Sequence, residues 1–354
     1  MISIECFNGL PLEYESFLIE KYDSFMVTCR YAEIYYPSYD VNYMLVYEDD
    51  KLIELLLFGN IGNTSLCFNS LAEINQDIIT ECTTKIFEKY PAINKIKIDA
   101  SYVDYNLKKS FLNFKSDDQI LDLPLTIDDY YLELGYHTRK NIKNRKVRLL
   151  RDYPAVKFIT KFGLEIDESI IDKIILLNKD RMEYKGKTPA IDEAFKNNIY
   201  QFARHYGCVA YIEIDGLIVA GCIATILKKR IFAHVIAHDN NFSKYNVGES
   251  CIFYLIQTSI EKGMATFHFL WGENEYKKRL LAKNHVLYFY SIHRKYSFNY
   301  FMDGIKTLFS NALSNIERSK YSKPIREVIK FYRKNKRKVK STDSVSSNLK
   351  KISA

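Results

Sequence analysis

Residues 207–271 leave few folds open. "GCVAYIEIDGLIVAGCIATI" reads as strand, turn and strand, with Asp215-Gly216 as the dipeptide that tolerates positive φ in a tight hairpin. A third extended run, "IFAHVIAH", follows, and then the polar loop "DNNFSKYN". Over residues 249–262, Ile252, Leu255, Ile256 and Ile260 share one helical face, and Gly263 stands where that helix should stop. "ATFHFLW" then returns as a strand. Antiparallel strands followed by a helix and a return strand predict an α/β fold with a mixed sheet.

The first half repeats this order. "YMLVYEDDKLIELLLF" gives two strands around an acidic turn, residues 74–90 form an amphipathic helix that Pro91 ends, and "NKIKIDA" alternates with period two. The repetition predicts a duplicated unit, and 354 residues suit two domains plus a tail. The expected divisions are an N-terminal half over 1–118, a C-terminal half over 119–296, a basic helical extension over 297–340 and a Ser-rich, disordered tail over 341–354. Between the halves, residues 126–152 read as one helix, whose later part "HTRKNIKNRKVRLLR" has seven Lys/Arg and no acidic residue.

Charge and apolar patterning exclude some classes. No uncharged apolar run approaches the roughly 20 residues of a membrane-spanning helix, and the N-terminus lacks a basic region before an apolar core, so a cytoplasmic protein is expected. Seven cysteines without C-x-x-C spacing suit reduced thiols, and neither disulfides nor a metal site is expected. Net charge is +8, but "SKYSKPIREVIKFYRKNKRKVK" carries ten Lys/Arg against one Glu, so the rest of the chain is nearly neutral. That segment suits either a solvated helix end or docking on an anionic membrane surface or RNA. "GKT" at residues 186–188 is no P-loop, because Arg181 stands where that motif requires glycine.

The chemistry-bearing candidates cluster late in the chain. Gly248 in "YNVGES" opens a helix, where unpaired N–H groups and a small residue suit a phosphate. His234 and His238 are expected on one strand face with Phe232 and Ile236, about 13 Å apart and thus too distant to share a metal. "WGENEYKK" ends a strand in glycine and turns into a charged helix. Tyr276 there is one of 28 tyrosines, and from the residues alone packing explains it better than chemistry does.

Three ordered blocks carry a resemblance. Over residues 121–294 the chain resembles the CelD/BcsL-like acetyltransferase domain of the GNAT superfamily. Its R-x-x-I entry run is matched by Arg139 and Ile142, its Asp–Tyr–small–Gly pattern by "HDNNFSKYNVGES", and its closing Gly–Tyr–Lys pattern by Gly272, Tyr276 and Lys277. The first block is also similar to that of the FemABX aminoacyltransferases, which are tandem GNAT-like proteins. Two positions depart from the family pattern: the phosphate loop is reduced to Gly248 with Lys244 nearby, and His268 stands where aspartate is common.

The resemblance implies a tandem GNAT-like fold and an N-acyltransferase using acetyl-CoA or another acyl-CoA, without metal. It implies a CoA site at Lys244, Val247, Gly248, Glu249 and Ser250, and catalytic roles for Tyr276, His234 and Asp239. Arg139, Lys143, Trp271, Glu273 and Lys277 are then expected to meet the acceptor, an amine-bearing sugar nucleotide or lipid-linked sugar of surface-polysaccharide assembly. Peripheral membrane contact through the basic C-terminal segment accompanies that reading. The alternatives are FemABX-like transfer from aminoacyl-tRNA, and a non-catalytic membrane- or RNA-binding protein.

Overall fold

Period-two burial and turn chemistry place twelve strands in one sheet among the described residues: β1 (Ile2–Asn8), β2 (Asp40–Glu48), β3 (Lys51–Ile61), β4 (Thr64–Cys67), β5 (Lys95–Ser101), β6 (Ser110–Asp122), β7 (Lys157–Phe162), β8 (Gly207–Ile214), β9 (Leu217–Leu227), β10 (Arg230–His238), β11 (Thr266–Trp271) and β12 (Lys283–His293). The helices are α1 (Glu15–Tyr22), α2 (Cys29–Tyr35), α3 (Gln76–Lys89), α4 (Ile127–Glu133), α5 (Tyr136–Asp152), α6 (Glu168–Tyr184), α7 (Glu193–Tyr206), α8 (Val247–Glu261) and α9 (Glu275–Arg279). This computed structural model describes residues 2–294 except 187, 190 and 273, together with 300, 301, 304 and 305. The expected basic extension and disordered tail lie largely outside the described residues.

The duplication is visible in the pairing. Strands β1 to β4 pair antiparallel in sequence order, α3 crosses over, and β5 lies parallel to β4. Strands β7 to β10, α8 and β11 repeat those steps in the same order. The strands that close the repeats are exchanged: β6 pairs with β11, β12 pairs with β5, and β6 and β12 pair with each other. Both repeats therefore belong to one sheet, ordered β1-β2-β3-β4-β5-β12-β6-β11-β10-β9-β8-β7.

Helix α8 forms because its apolar positions recur every three to four residues and bury one broad face. Ile252, Leu255 and Ile256 pack with Ala210, Ile212 and Cys222 of β8 and β9. Gly263, at φ +70°, ends the helix by donating to the Ile260 carbonyl at 2.9 Å. The opposite face of β8 to β10 receives α6 and α7 through Ile171, Ile174 and Ile199 against Val209, Ile223 and Val235. Six of the seven cysteines are buried. Among the described residues no helix is long and apolar enough to cross a membrane.

Two local expectations need correction. The single helix over 126–152 is broken into α4 and α5 at Leu134 and Gly135, both extended in backbone, so the basic stripe starts its own helix. The strand IFAHVIAH does not keep one parity. His234 is an extra residue in β10: Ala233 faces Ala224 and Val235 faces Ile223, with no β9 partner between. This bulge switches the faces. Ile231 and Ala233 point to the α8 side, Val235 and Ala237 to the α6–α7 side, and Ile236 to the α8 side. His234 and His238 consequently do not share a face.

Candidate active site

The bulge in β10 faces a second irregularity in β11. Between His268 and Trp271 the β11–β6 ladder also gains a residue, and Leu270 and Gly272 take positive φ of 52° and 86°. β10 pairs with β11 only from Arg230 to Phe232, so beyond that point the two strands diverge. The opening is a cavity of about 560 Å³, floored by β10, β11 and the start of α8 and walled by α6 and α9.

The His234 side chain is exposed to this cavity, with its ring edge-on to Phe25. The protein packed around the cavity pushes its imidazole down, an effect that the ring's opening to the cavity moderates, and the ring is neutral near pH 7. Its Nε2 and the Thr225 hydroxyl share a hydrogen bond of 2.7 Å. Tyr276 also lines the cavity and packs edge-on to Phe269. Burial pushes its phenol up to about 12, which keeps the proton on the oxygen.

Lys277 has a role that its sequence context did not suggest. Its ammonium lies 3.1, 3.1, 2.9 and 2.8 Å from the carbonyl oxygens of Phe269, Leu270, Trp271 and Gly272, which share its three N–H donors. Only 3% of the side chain is exposed. The charge expected to hold substrate is instead engaged with the turn that holds β11 away from β10. His268 is buried as well, with Nδ1 2.7 Å from Asp118 of β6. Tyr102 donates to the same carboxylate oxygen at 2.8 Å.

The start of α8 differs from the expectation of an open phosphate seat. Glu249 lies there with its side chain 8% exposed, bonded to Arg145 at 2.9 Å and Arg279 at 3.3 Å, with Asn246 as a further donor. A carboxylate near a helix N-terminus is favourable, and this one is held by side-chain donors. The bareness of Gly248 serves His238, because a methyl group there would come within 2.6 Å of Nδ1. Gly248→Ala is expected to destabilise: alanine gains about 1 kcal/mol in helix propensity, but overpacking costs about 1–3 kcal/mol. A urea midpoint equal to or above that of the native chain would contradict this reading of the glycine.

Cationic groups come instead from α6, and the sequence reading missed them. Arg181 and Lys185 line the cavity beside Asn178. Arg181 reaches the Ile236 carbonyl at 3.1 Å through Nη1, while its Nε and the His238 Nδ1 are buried without a hydrogen-bond partner. Such orphaned donors and acceptors in a cationic wall fit a phosphate-bearing ligand. The sequence signal, two cations four apart at the end of an amphipathic helix, is too common to single them out.

The other expected residues fall into two groups. Trp271 lines the cavity and is 43% exposed. Asp239 lies outside it, with Oδ1 accepting the Asn241 N–H at 2.8 Å as a helix cap. Lys244 stacks on the Tyr245 ring, Val247 is core, and Ser250 faces a separate groove under α5. Arg139 donates to the Tyr131 and Leu132 carbonyls at 3.1 and 3.2 Å, and Lys143 is exposed and outside the cavity. Glu273 lies outside the described residues.

With this geometry in place, the likeness to known proteins is specific. Residues 137–278 match the family model described as an acetyltransferase (GNAT) domain, a span that runs from α5 into α9 and contains nearly every cavity wall. That match covers 142 of the 354 residues and supports an acyltransferase. The fold is similar to that of FemX, at 11% identity and a TM-score of 0.59, over 82% of this chain and 97% of that one. It is also similar to L-PGS from Bacillus licheniformis, at 12% identity and a TM-score of 0.53, over 85% and 98%. A conserved protein of Bacteroides thetaiotaomicron shares the fold at 13% identity and a TM-score of 0.53, over 83% and 100%. No curated protein matches the sequence.

Proposed function

We propose that the protein moves an acyl group from acyl-CoA to the amine of a nucleotide- or lipid-linked amino sugar in surface-polysaccharide assembly, as the CelD/BcsL resemblance implies. The observation that carries the reaction is the opening between β10 and β11, which brings Tyr276 and His234 to one cavity inside the matched domain. Bound acyl-CoA supplies the activated acyl group. Arg181 and Lys185 hold its phosphates, while the carboxylate of Glu249 disfavours a second anion at the start of α8. Beyond Phe232 the edge of β10 has no β11 partner and offers backbone groups to an extended, amide-bearing ligand. Tyr276 keeps its proton until a thiolate departs and then donates it. His234 accepts a hydrogen bond from the attacking amine. With its basicity lowered, the imidazole orients an amine that arrives neutral and passes its proton on to water after attack.

A ligand that binds only the native state stabilises it by about 2.7 kcal/mol at a hundredfold excess over Kd. CoA and acetyl-CoA are therefore expected to raise the melting temperature, and the absence of a shift with any CoA compound would remove this reading. Transfer from aminoacyl-tRNA is the second reading, supported by Glu249 at the α8 start and by the largely exposed cations of α5. A chain that ignores CoA and retards charged tRNA in a gel would favour it. Binding without turnover would favour the non-catalytic alternative.

A further inference from the structure

A second cavity, of about 420 Å³, adjoins the first and shares Asn178, His234, Leu270 and Trp271 with it. It lies between α7, α2 and the strands β9 and β10; its deeper walls are Ile199, Phe202, Ile223 and Val235, and Tyr35 and the exposed Phe195 also line it. Ile199 and Phe202 are 6% and 3% exposed, so these walls belong to the packed interior. Polar groups are few and engaged. The Thr225 hydroxyl is bonded to His234, and Asn178 points its amide at the Ile236 carbonyl. A sugar or nucleotide placed here would leave most of its hydroxyl and amide groups without partners, which a site for such ligands avoids. Hydrocarbon meets no such penalty.

We infer that the acyl group is longer than acetyl, an aliphatic chain that passes His234 and lies in this second cavity. The inference rests on the acyl-CoA reading and extends it. Donor phosphates at Arg181 and Lys185, the reacting carbonyl near Tyr276 and His234, and the hydrocarbon among Ile199, Phe202 and Val235 form one continuous path through the two cavities. The bulge at His234 places that side chain at the junction, where the thioester ends and the chain begins.

Calorimetric titration with CoA, acetyl-CoA, butanoyl-CoA, hexanoyl-CoA and octanoyl-CoA tests this without knowledge of the acceptor. Each methylene buried is expected to tighten binding about fourfold until the cavity is filled. Ile199→Trp, which fills the cavity, is expected to reduce the octanoyl-to-acetyl affinity ratio at least tenfold. Ala203→Leu, a smaller insertion from the same wall, is expected to reduce it in the same direction and serves if the tryptophan variant does not fold. Equal or declining affinity with chain length would overturn the inference while leaving acyl-CoA as donor. A length preference that neither variant alters would place the chain elsewhere and overturn it too. Failure of every CoA compound to bind would remove the inference and the donor reading together.

Discussion

Replacing Tyr276 with phenylalanine is expected to slow turnover by about 10² to 10⁴ while CoA affinity stays nearly unchanged, since a lost acid acts on the transition state and not on the ground state. Two facts give that expectation its size. The phenol lines the cavity where β10 and β11 separate, and burial pushes it up to about 12, so it is protonated throughout the neutral range. Its packing against Phe269 survives the substitution, because phenylalanine keeps the ring. Thioester consumption, followed as free thiol in a single-turnover experiment, reads the effect. Unchanged single-turnover rates would leave Tyr276 as a packing residue.

Lys277→Met is expected to destabilise the fold by about 2–5 kcal/mol, because two of the carbonyls it serves, those of Phe269 and Leu270, would be left buried without a donor. The same lysine predicts a pH dependence. Burial pushes its ammonium down to about 8 from an ordinary 10.5, although the Asp118 and Asp117 carboxylates pull it upward. Between those values the unfolded chain holds a proton that the folded chain has lost. This group's contribution is therefore fully present above pH 10.5 and is lost as pH falls through 8. From about pH 7.5 to about pH 9.5 the native chain should gain about 2 kcal/mol relative to Lys277→Met. Urea midpoints of both chains at the two pH values decide it. Parallel pH profiles would show that Lys277 does not titrate in this window, and an unchanged midpoint at pH 7.5 would show that the carbonyls do not depend on it.

Much of the fold was legible because it depends on local chemistry. Asp215-Gly216 forms its turn, Gly263 stops α8, and the apolar positions of α8 fall on the face that is buried. The failures have one physical cause: an insertion in a ladder is invisible in a string of residues. IFAHVIAH has the same alternation whether or not His234 is paired, and only the partner strand decides that it bulges. Likewise, the sequence placed Lys277 on a charged helix, and only the left-handed turn at Leu270 and Gly272 converges four carbonyls on its Nζ. Arg181 and Lys185 were missed because proximity to the cavity comes from α6 folding over β10, more than 50 residues away in the chain.

By itself the sequence determined the duplicated mixed α/β plan, the bounds of α3 and α8 within a few residues, and the block over which the GNAT likeness is found, because periodicity and turn residues act over short distances. The tertiary structure decided what the cavity contains. It exchanged β6 and β12 between the repeats, opened β10 from β11 by two opposed bulges, paired Glu249 at the start of α8 with Arg145 and Arg279, and carried an apolar cavity past His234. These features depend on strand pairing and packing between residues far apart in sequence, and no local pattern encodes them.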